Sequence, residues 1–187
     1  FPITLANLSL VAMMERILPY RREWNRSHGD LRTDSLYFLT EIIVGGLMAP
    51  LLGMLTIIIG GWISAQVGSS LWPTSWPILA QVLLATVIRE FFDYWAHRSM
   101  HRYHWLWRLH ATHHSAERVY WLNATRAHPG EIVYRFCFVW VLPLAVLGVP
   151  KDVLALATVA AVLADAYQHA NIAIRLGPLS WIYSIGN

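Results

Sequence analysis

Residues 77–114 read PILAQVLLATVIREFFDYWAHRSMHRYHWLWRLHATHH, a run that is uncharged as far as Ile88 and then passes into two histidine boxes, HRSMH at 97–101 and HATHH at 110–114. Six of the chain's nine histidines fall within those last 18 residues, five of them in the two boxes, where a random scatter places about one. Residues four apart on a helix share a face, so His97 and His101 aim two imidazoles at one point. In the second box His110 stands three residues before His113 and four before His114, and a helical turn there gathers a second group of nitrogens. Structural zinc closes with about four ligands and catalytic zinc usually takes about three from the protein, so five imidazoles predict two metals. Nitrogen ligation leaves zinc, copper, iron and nickel open, and iron is the metal expected here. The bland alternative is a basic juxtamembrane loop with interfacial histidines, which gives no reason for helical spacing to recur twice.

Working outward, the composition belongs in a bilayer. Of 187 residues 56% are hydrophobic and 13% charged, with mean hydropathy +0.42, whereas a soluble domain carries about 25% charged residues. The length allows one domain over 1–187, and the reading is an all-α, integral-membrane helical bundle of about four spans. Leu36 to Val67 holds one ionisable residue, Glu41, and exceeds the roughly 20 residues that cross the hydrocarbon core. It is read as one long tilted helix bent near Pro50, with Gly45, Gly46, Gly60 and Gly61 permitting close helix approach. The second span starts at Pro77 and carries Arg89, Glu90 and Asp93 just before His97. Ile132 to Val149 is the third, with Arg135 at its start and Pro143 inside, and after a turn at Pro150 the helix Val153 to Ala164 returns toward Asp165 and His169. Ala155, Ala157, Ala160, Ala161 and Ala164 give that last helix a small-residue surface for close packing. The first 18 residues are apolar apart from Glu15 and Arg16, begin without methionine, and are expected to end a further span of a longer protein.

Charge sets the expected topology. Arg21 to Arg32 and Arg98 to Arg126 are rich in arginine, whereas Gly68 to Trp76 is uncharged, so the positive-inside rule puts the histidine boxes on cytoplasmic helix ends. An even number of spans then returns His169 to the same face. Trp62, Trp72, Trp76, Trp95, Trp105 and Trp107 lie near span ends, as an aromatic belt does. The basic balance, pI near 9.3, fits anionic headgroups and calls for no nucleic acid. Cys137 is the only cysteine, so no disulfide, cysteine zinc site or iron–sulfur set forms within the chain.

Around the boxes, Asp93 lies four residues before His97 and is read either as a carboxylate holding an imidazole's second nitrogen or as an ion-pair partner of Arg89. Asp165 stands in the same relation to His169. His128, in RAHPGE, and His169, in DAYQHAN, are further candidate ligands, with Glu131 three residues after His128 as a supporting carboxylate or a helix-start charge. Glu90 is read as a helix-face charge, and His28 and His104 as surface histidines.

Taken together, HRSMH at 97–101, HATHHS at 110–115, TRAHPGE at 125–131, QHANI at 168–172, ERILPYR at 15–21 and WRLH before the second box resemble the fatty acid hydroxylase / sterol desaturase superfamily of integral-membrane non-haem di-iron proteins. The resemblance runs over essentially the whole chain. It implies two irons held by His97, His101, His110, His113, His114, His169 and His128, with no catalytic residue beyond these ligands. It further implies dioxygen as co-substrate and hydroxylation of an unactivated C–H bond in a fatty acyl or sterol-like membrane lipid. Desaturation and ether-lipid oxygenation are the alternatives within the superfamily. A third box, HxxHH, belongs to the pattern, and WIYSIGN at 181–187 reads as its lead-in, so the ligand set is expected to be incomplete. Electrons are expected from an external ferredoxin, cytochrome or reductase, and Arg98, Arg102, Arg108 and Arg118 are read as a docking surface for an acidic donor or as contacts to lipid headgroups. A bacterial inner membrane is the expected location. Outside this class stand a non-redox zinc transporter, for which the spans hold few polar residues, a membrane zinc hydrolase with Asp93 or Glu131 as base, and a bis-histidine haem protein.

Overall fold

A computed structural model describes residues 2–174, and among them the chain is helical, with one isolated antiparallel bridge between Pro19 and Ile172. In order these are α1 (Pro2–Ile17), α2 (Leu31–Leu55), α3 (Gly61–Val67), α4 (Ile78–Arg102), α5 (His104–His110), α6 (Pro129–Arg135) and α7 (Lys151–Gln168). A π-helical turn, Thr56–Gly60, joins α2 to α3, and a π-helical stretch, Phe136–Ala145, continues α6. Helices therefore stand where the sequence places its four apolar spans.

The run Leu31–Val67 is, among the described residues, the one helix both long and apolar enough to cross a membrane. The expected bend at Pro50 is displaced. Pro50 sits inside α2, and the departure from α geometry comes at Thr56–Gly60, where the Thr56 hydroxyl donates to the Leu52 carbonyl (2.9 Å). Proline removes a donor, but the wider turn forms where close packing requires it. A Cβ on Gly60 would stand 2.5 Å from Gly148 Cα, so two backbones meet there, and Gly148 itself needs its left-handed φ of +68°. The other three glycines expected to permit close approach, Gly45, Gly46 and Gly61, have nothing within 4 Å of such a Cβ.

α4 packs against Phe136–Ala145 and α7, and α5 folds back onto α4. The core between them joins Ala85, Phe136, Leu144, Val149, Val153 and Ala157. Of the alanines expected to pack, Ala157 and Ala161 are buried and Ala155 is exposed. Trp72 departs from the expected belt: it is buried and donates its indole N–H to Gln81 (2.8 Å), whereas Trp62, Trp76, Trp95 and Trp105 are exposed.

The Gly60–Gly148 contact and the Trp72–Gln81 bond gather one end of the bundle. At the other, Arg118 pairs with Asp30, and the 18–21 segment pairs with 171–173 through Tyr20 N–H to Asn171 O (3.2 Å) and Ala173 N–H to Leu18 O (2.9 Å). That end collects the arginine-rich segments and the histidines.

Candidate metal centre

The first box lies on the last turns of α4, whose i,i+4 spacing brings the Nε2 atoms of His97 and His101 to 3.0 Å. α5 ends at His110, and the chain tightens into a 3-10 turn at His113–Ser115. That change of pitch splits the second box. His114 Nε2 turns toward His101 Nε2 (3.3 Å) and His110 Nε2 (3.1 Å), while His113 Nε2 turns the other way, to His169 Nε2 (3.2 Å).

Two adjoining groups result. His97, His101, His110 and His114 present four ligand nitrogens that all lie within 4.8 Å of one another. His113 and His169 form the second group, joined to the first where the rings of His110 and His113 stack at 5.3 Å. A single ion with metal–nitrogen bonds of about 2.1 Å holds neighbouring ligand nitrogens roughly 3.0–3.4 Å apart, the spacing of the His97–His101, His101–His114 and His110–His114 pairs.

The donor set passes a second test, the direction of its lone pairs. His110 Nδ1–H donates to Glu131 Oε1 (2.8 Å), and both side chains are buried, so the His110 Nε2 lone pair is left facing the group. The other Glu131 oxygen is buried without a hydrogen-bond partner, a negative charge matched to a cation across the ring. His169 Nδ1–H donates to the Asp165 carbonyl (3.2 Å) and so presents Nε2 to His113. Neutral imidazoles are also the favoured form. Burial pushes His113 down to about 3, helped by His169, His110 and His114, and burial likewise lowers His114 and His169. Trp107 covers the group, stacked on His114 at 5.5 Å and tilted against His101 at 5.4 Å.

Several sequence candidates stand elsewhere. His128 caps α6, its Nδ1 accepting from Gly130 N–H (3.0 Å), and among the described residues it makes no ring contact or hydrogen bond with another histidine. A histidine before Pro-Gly suits a helix start, which the motif's resemblance hides. Asp93 grips neither imidazole nor Arg89: it takes a forked pair of bonds from Arg135 (2.8 and 3.0 Å to Nη2). The Asp165 carboxylate faces Arg89 (3.8 Å), and it is that residue's backbone carbonyl that orients His169. Arg89 is buried and also paired with Glu90. Arg118 leaves the expected docking surface, being buried between Asp30 and the face of Tyr120 (3.8 Å), whereas Arg98, Arg102 and Arg108 are exposed. His28, facing Glu117, and His104 are exposed, as surface histidines. The WIYSIGN stretch, expected to lead into the third box, lies outside the described residues.

One device goes unread in the sequence. Buried Glu15 accepts from the backbone N–H groups of Trp121 and Asn171, each at 2.8 Å. Buried Asn171 accepts from Arg21 N–H (2.9 Å) and donates to the Arg21 carbonyl (2.9 Å) and Asn25 Oδ1 (3.2 Å). α1 is thereby clasped to the segment that carries His169. A lone glutamate in an apolar stretch is the signal that points to it.

A chain that is helical over its described residues and converges six histidines from two boxes and a third segment on adjoining nitrogen-lined sites is a histidine-box protein. It belongs to the fatty acid hydroxylase family, whose model matches residues 82–186, and this is a family of iron-dependent oxygenases. The chain is similar to Ornithine lipid hydroxylase OlsE of Rhizobium tropici, 31% identical over 186 residues, covering 97% of this chain and 55% of the relative. It is similar to Methylsterol monooxygenase 2-1 of Arabidopsis thaliana, 37% identical over 62 residues, covering 32% of this chain and 22% of the relative. Alkylglycerol monooxygenase of Xenopus tropicalis is 32% identical over 93 residues, covering 50% and 20% respectively. The chain thus spans about half the length of the first relative and about a fifth of the others. No solved structure matches.

Proposed function

We propose that the protein containing this chain is a multi-pass membrane oxidoreductase that hydroxylates an unactivated C–H bond of a membrane lipid, using dioxygen and two non-haem irons. The observation that carries the proposal is the division of the histidines into two adjoining groups whose Nε2 atoms converge. His97, His101, His110 and His114 hold one metal. His113 and His169 begin the other, which the family's third histidine box completes.

When bound, the pair of irons supplies the redox chemistry that activates dioxygen. The reaction balances as one C–H bond and one dioxygen, with two electrons and two protons, giving an alcohol and one water. The chain's own part is positional. Glu131 keeps His110 in the ligating tautomer, the Asp165 carbonyl does the same for His169, and Trp107 shields one side of the first group from water. The electrons come from an external ferredoxin, cytochrome or reductase, for which Arg108 is the exposed basic candidate left once Arg98 and Arg102 are read as contacts to lipid headgroups. The relatives' names support a lipid as substrate, since they act on an ornithine lipid, a methylsterol and an alkylglycerol. We place the protein in a bacterial inner membrane with four spans in this chain and the histidine end in the cytoplasm, on the strength of the arginine asymmetry.

The test is metal analysis and Mössbauer spectroscopy on a form extended past Asn187, followed by turnover with isotopically labelled dioxygen and membrane lipid. Two coupled irons and an iron-dependent lipid product carrying the label, both lost in His101→Ala, are expected. Zinc bound without any oxygen-labelled product sinks the reading in favour of a non-redox metal protein.

A further inference from the structure

The outward face of α4 is sorted by side-chain chemistry along its length. Leu79, Leu83, Val87 and Phe91 form an exposed apolar stripe at helical spacing. Tyr94 and Trp95 follow on the same face, each at least 45% exposed, and then Arg98 and Arg102, also exposed. Arg98 lies over the Trp95 ring and donates to the Tyr94 hydroxyl (2.9 Å), so the aromatic and cationic levels are joined. The charges that keep α4 from reading as an ordinary span are turned away or neutralised. Arg89 is buried, Asp93 is held by Arg135, and Glu90, at the edge of the stripe, is tied to Arg89.

A partner protein has no reason to sort a surface this way, whereas a bilayer changes from hydrocarbon to interface to phosphate over this distance. From Ile78 to Tyr94 the helix rises about 24 Å, against about 30 Å of hydrocarbon, and exposed Trp76 and Trp95 flank the interval. Aromatic side chains settle at such boundaries and arginines at the headgroups beyond.

We infer that α4 is seated in a bilayer with Tyr94 and Trp95 at the hydrocarbon boundary and Arg98 and Arg102 among the headgroup phosphates, so that the metal-holding histidines stand at headgroup depth and oxidation falls at the polar end of the lipid. His97 and His101 lie roughly 3 and 9 Å beyond Trp95 along the axis, which puts His97 inside a headgroup layer about 5–8 Å thick and His101 at its outer edge. The middle of an acyl chain lies roughly 7 Å on the other side of the boundary. The carbon brought to the centre is therefore in the headgroup or within the first few bonds of it. The regiochemical half rests on the hydroxylase reading; the depth assignment does not.

The test uses the full-length protein in nanodiscs of anionic and zwitterionic phospholipid, with single spin labels at Leu83, Val87, Phe91, Arg98 and Arg102 in a background lacking other reactive cysteines. The accessibility ratio of dioxygen to a water-soluble nickel chelate is expected to be highest at 83 and 87, which flank the bilayer midplane, to fall from 87 to 102, and to cross over between 91 and 98. A crossover on the Leu83 side of Phe91, or labels immobilised along the stripe by a second copy or another segment, overturns the seating. Iron-loaded enzyme is then given lipids deuterated either in the headgroup and the first few carbons bonded to it or at mid-chain. Loss of deuterium from the first alone is expected, and loss from mid-chain overturns the regiochemistry. If no lipid is oxidised while the depth gradient stands, the hydroxylase reading falls and the seating survives.

Discussion

At His110 a single proton decides what the ring can do. Glu131 takes that proton's hydrogen bond at Nδ1 and leaves Nε2 free for a metal. Replacing the supporting carboxylate, as in Glu131→Gln, is expected to weaken metal binding by about 10–100-fold, read by chelator competition, with the fold retained. His128→Ala separates a cap from a ligand: it is expected to cost about 1 kcal/mol of stability and to leave metal content unchanged. A loss of one metal in that variant would restore His128 to the ligand set. The depressed imidazoles carry a signed pH dependence. Folded His113 takes a proton only near pH 3, whereas the unfolded chain takes it near the ordinary 6.5. The unfolded state therefore binds more protons as pH falls below 6.5, and stability of the metal-free protein is expected to decline through that window toward pH 3. Thermal unfolding in detergent from pH 8 to pH 4 checks this, and a flat profile contradicts it.

At the scale of elements, two joints place ligands that no local pattern could place. The 3-10 turn after α5 sends His113 and His114 to opposite groups. The clasp of α1 on the 168–172 segment, through Glu15 and Asn171, sets the backbone two residues beyond His169. Because Asn171 is remote from the four-histidine group in chemistry, Asn171→Ala is expected to lower bound metal from two ions toward one in the extended protein, the four-histidine site keeping its own. Loss of both metals together, by elemental analysis, would show that the clasp supports the whole bundle instead. The Asp93–Arg135 pair, linking α4 to α6, belongs to the same scale. Its carboxylate was readable as a partner for His97 from spacing, but a guanidinium offers a forked pair of charge-assisted bonds that an imidazole cannot match.

For the whole molecule, the end remote from the histidines is held by backbone contact. Gly60→Ala drives a methyl into Gly148 backbone and is expected to destabilise by about 1–3 kcal/mol. Gly45→Ala meets open space and is expected to be neutral or to stabilise by up to about 1 kcal/mol, and melting temperatures of the two variants in detergent compare them directly. Much of this architecture is legible in the chain itself. Long apolar runs demand helices because only internally bonded backbone suits such a composition, and the repeat of four between His97 and His101 places both on one helix face whatever packs against it. The box motifs carry the family. What the linear pattern could not decide is which histidine joins which group, since that depends on a change of helical pitch at His113 and on a strand-like pairing between residues about 150 apart. Nor could it tell a buried arginine from a surface one: Arg118 and Arg98 look alike in the chain, and only the arrival of Asp30 and Tyr120 from elsewhere withdraws Arg118 from the surface. Periodicity is a property of neighbours along the chain and survives reading by eye; ligand grouping and charge pairing are properties of neighbours in space, and only the tertiary structure brings those together.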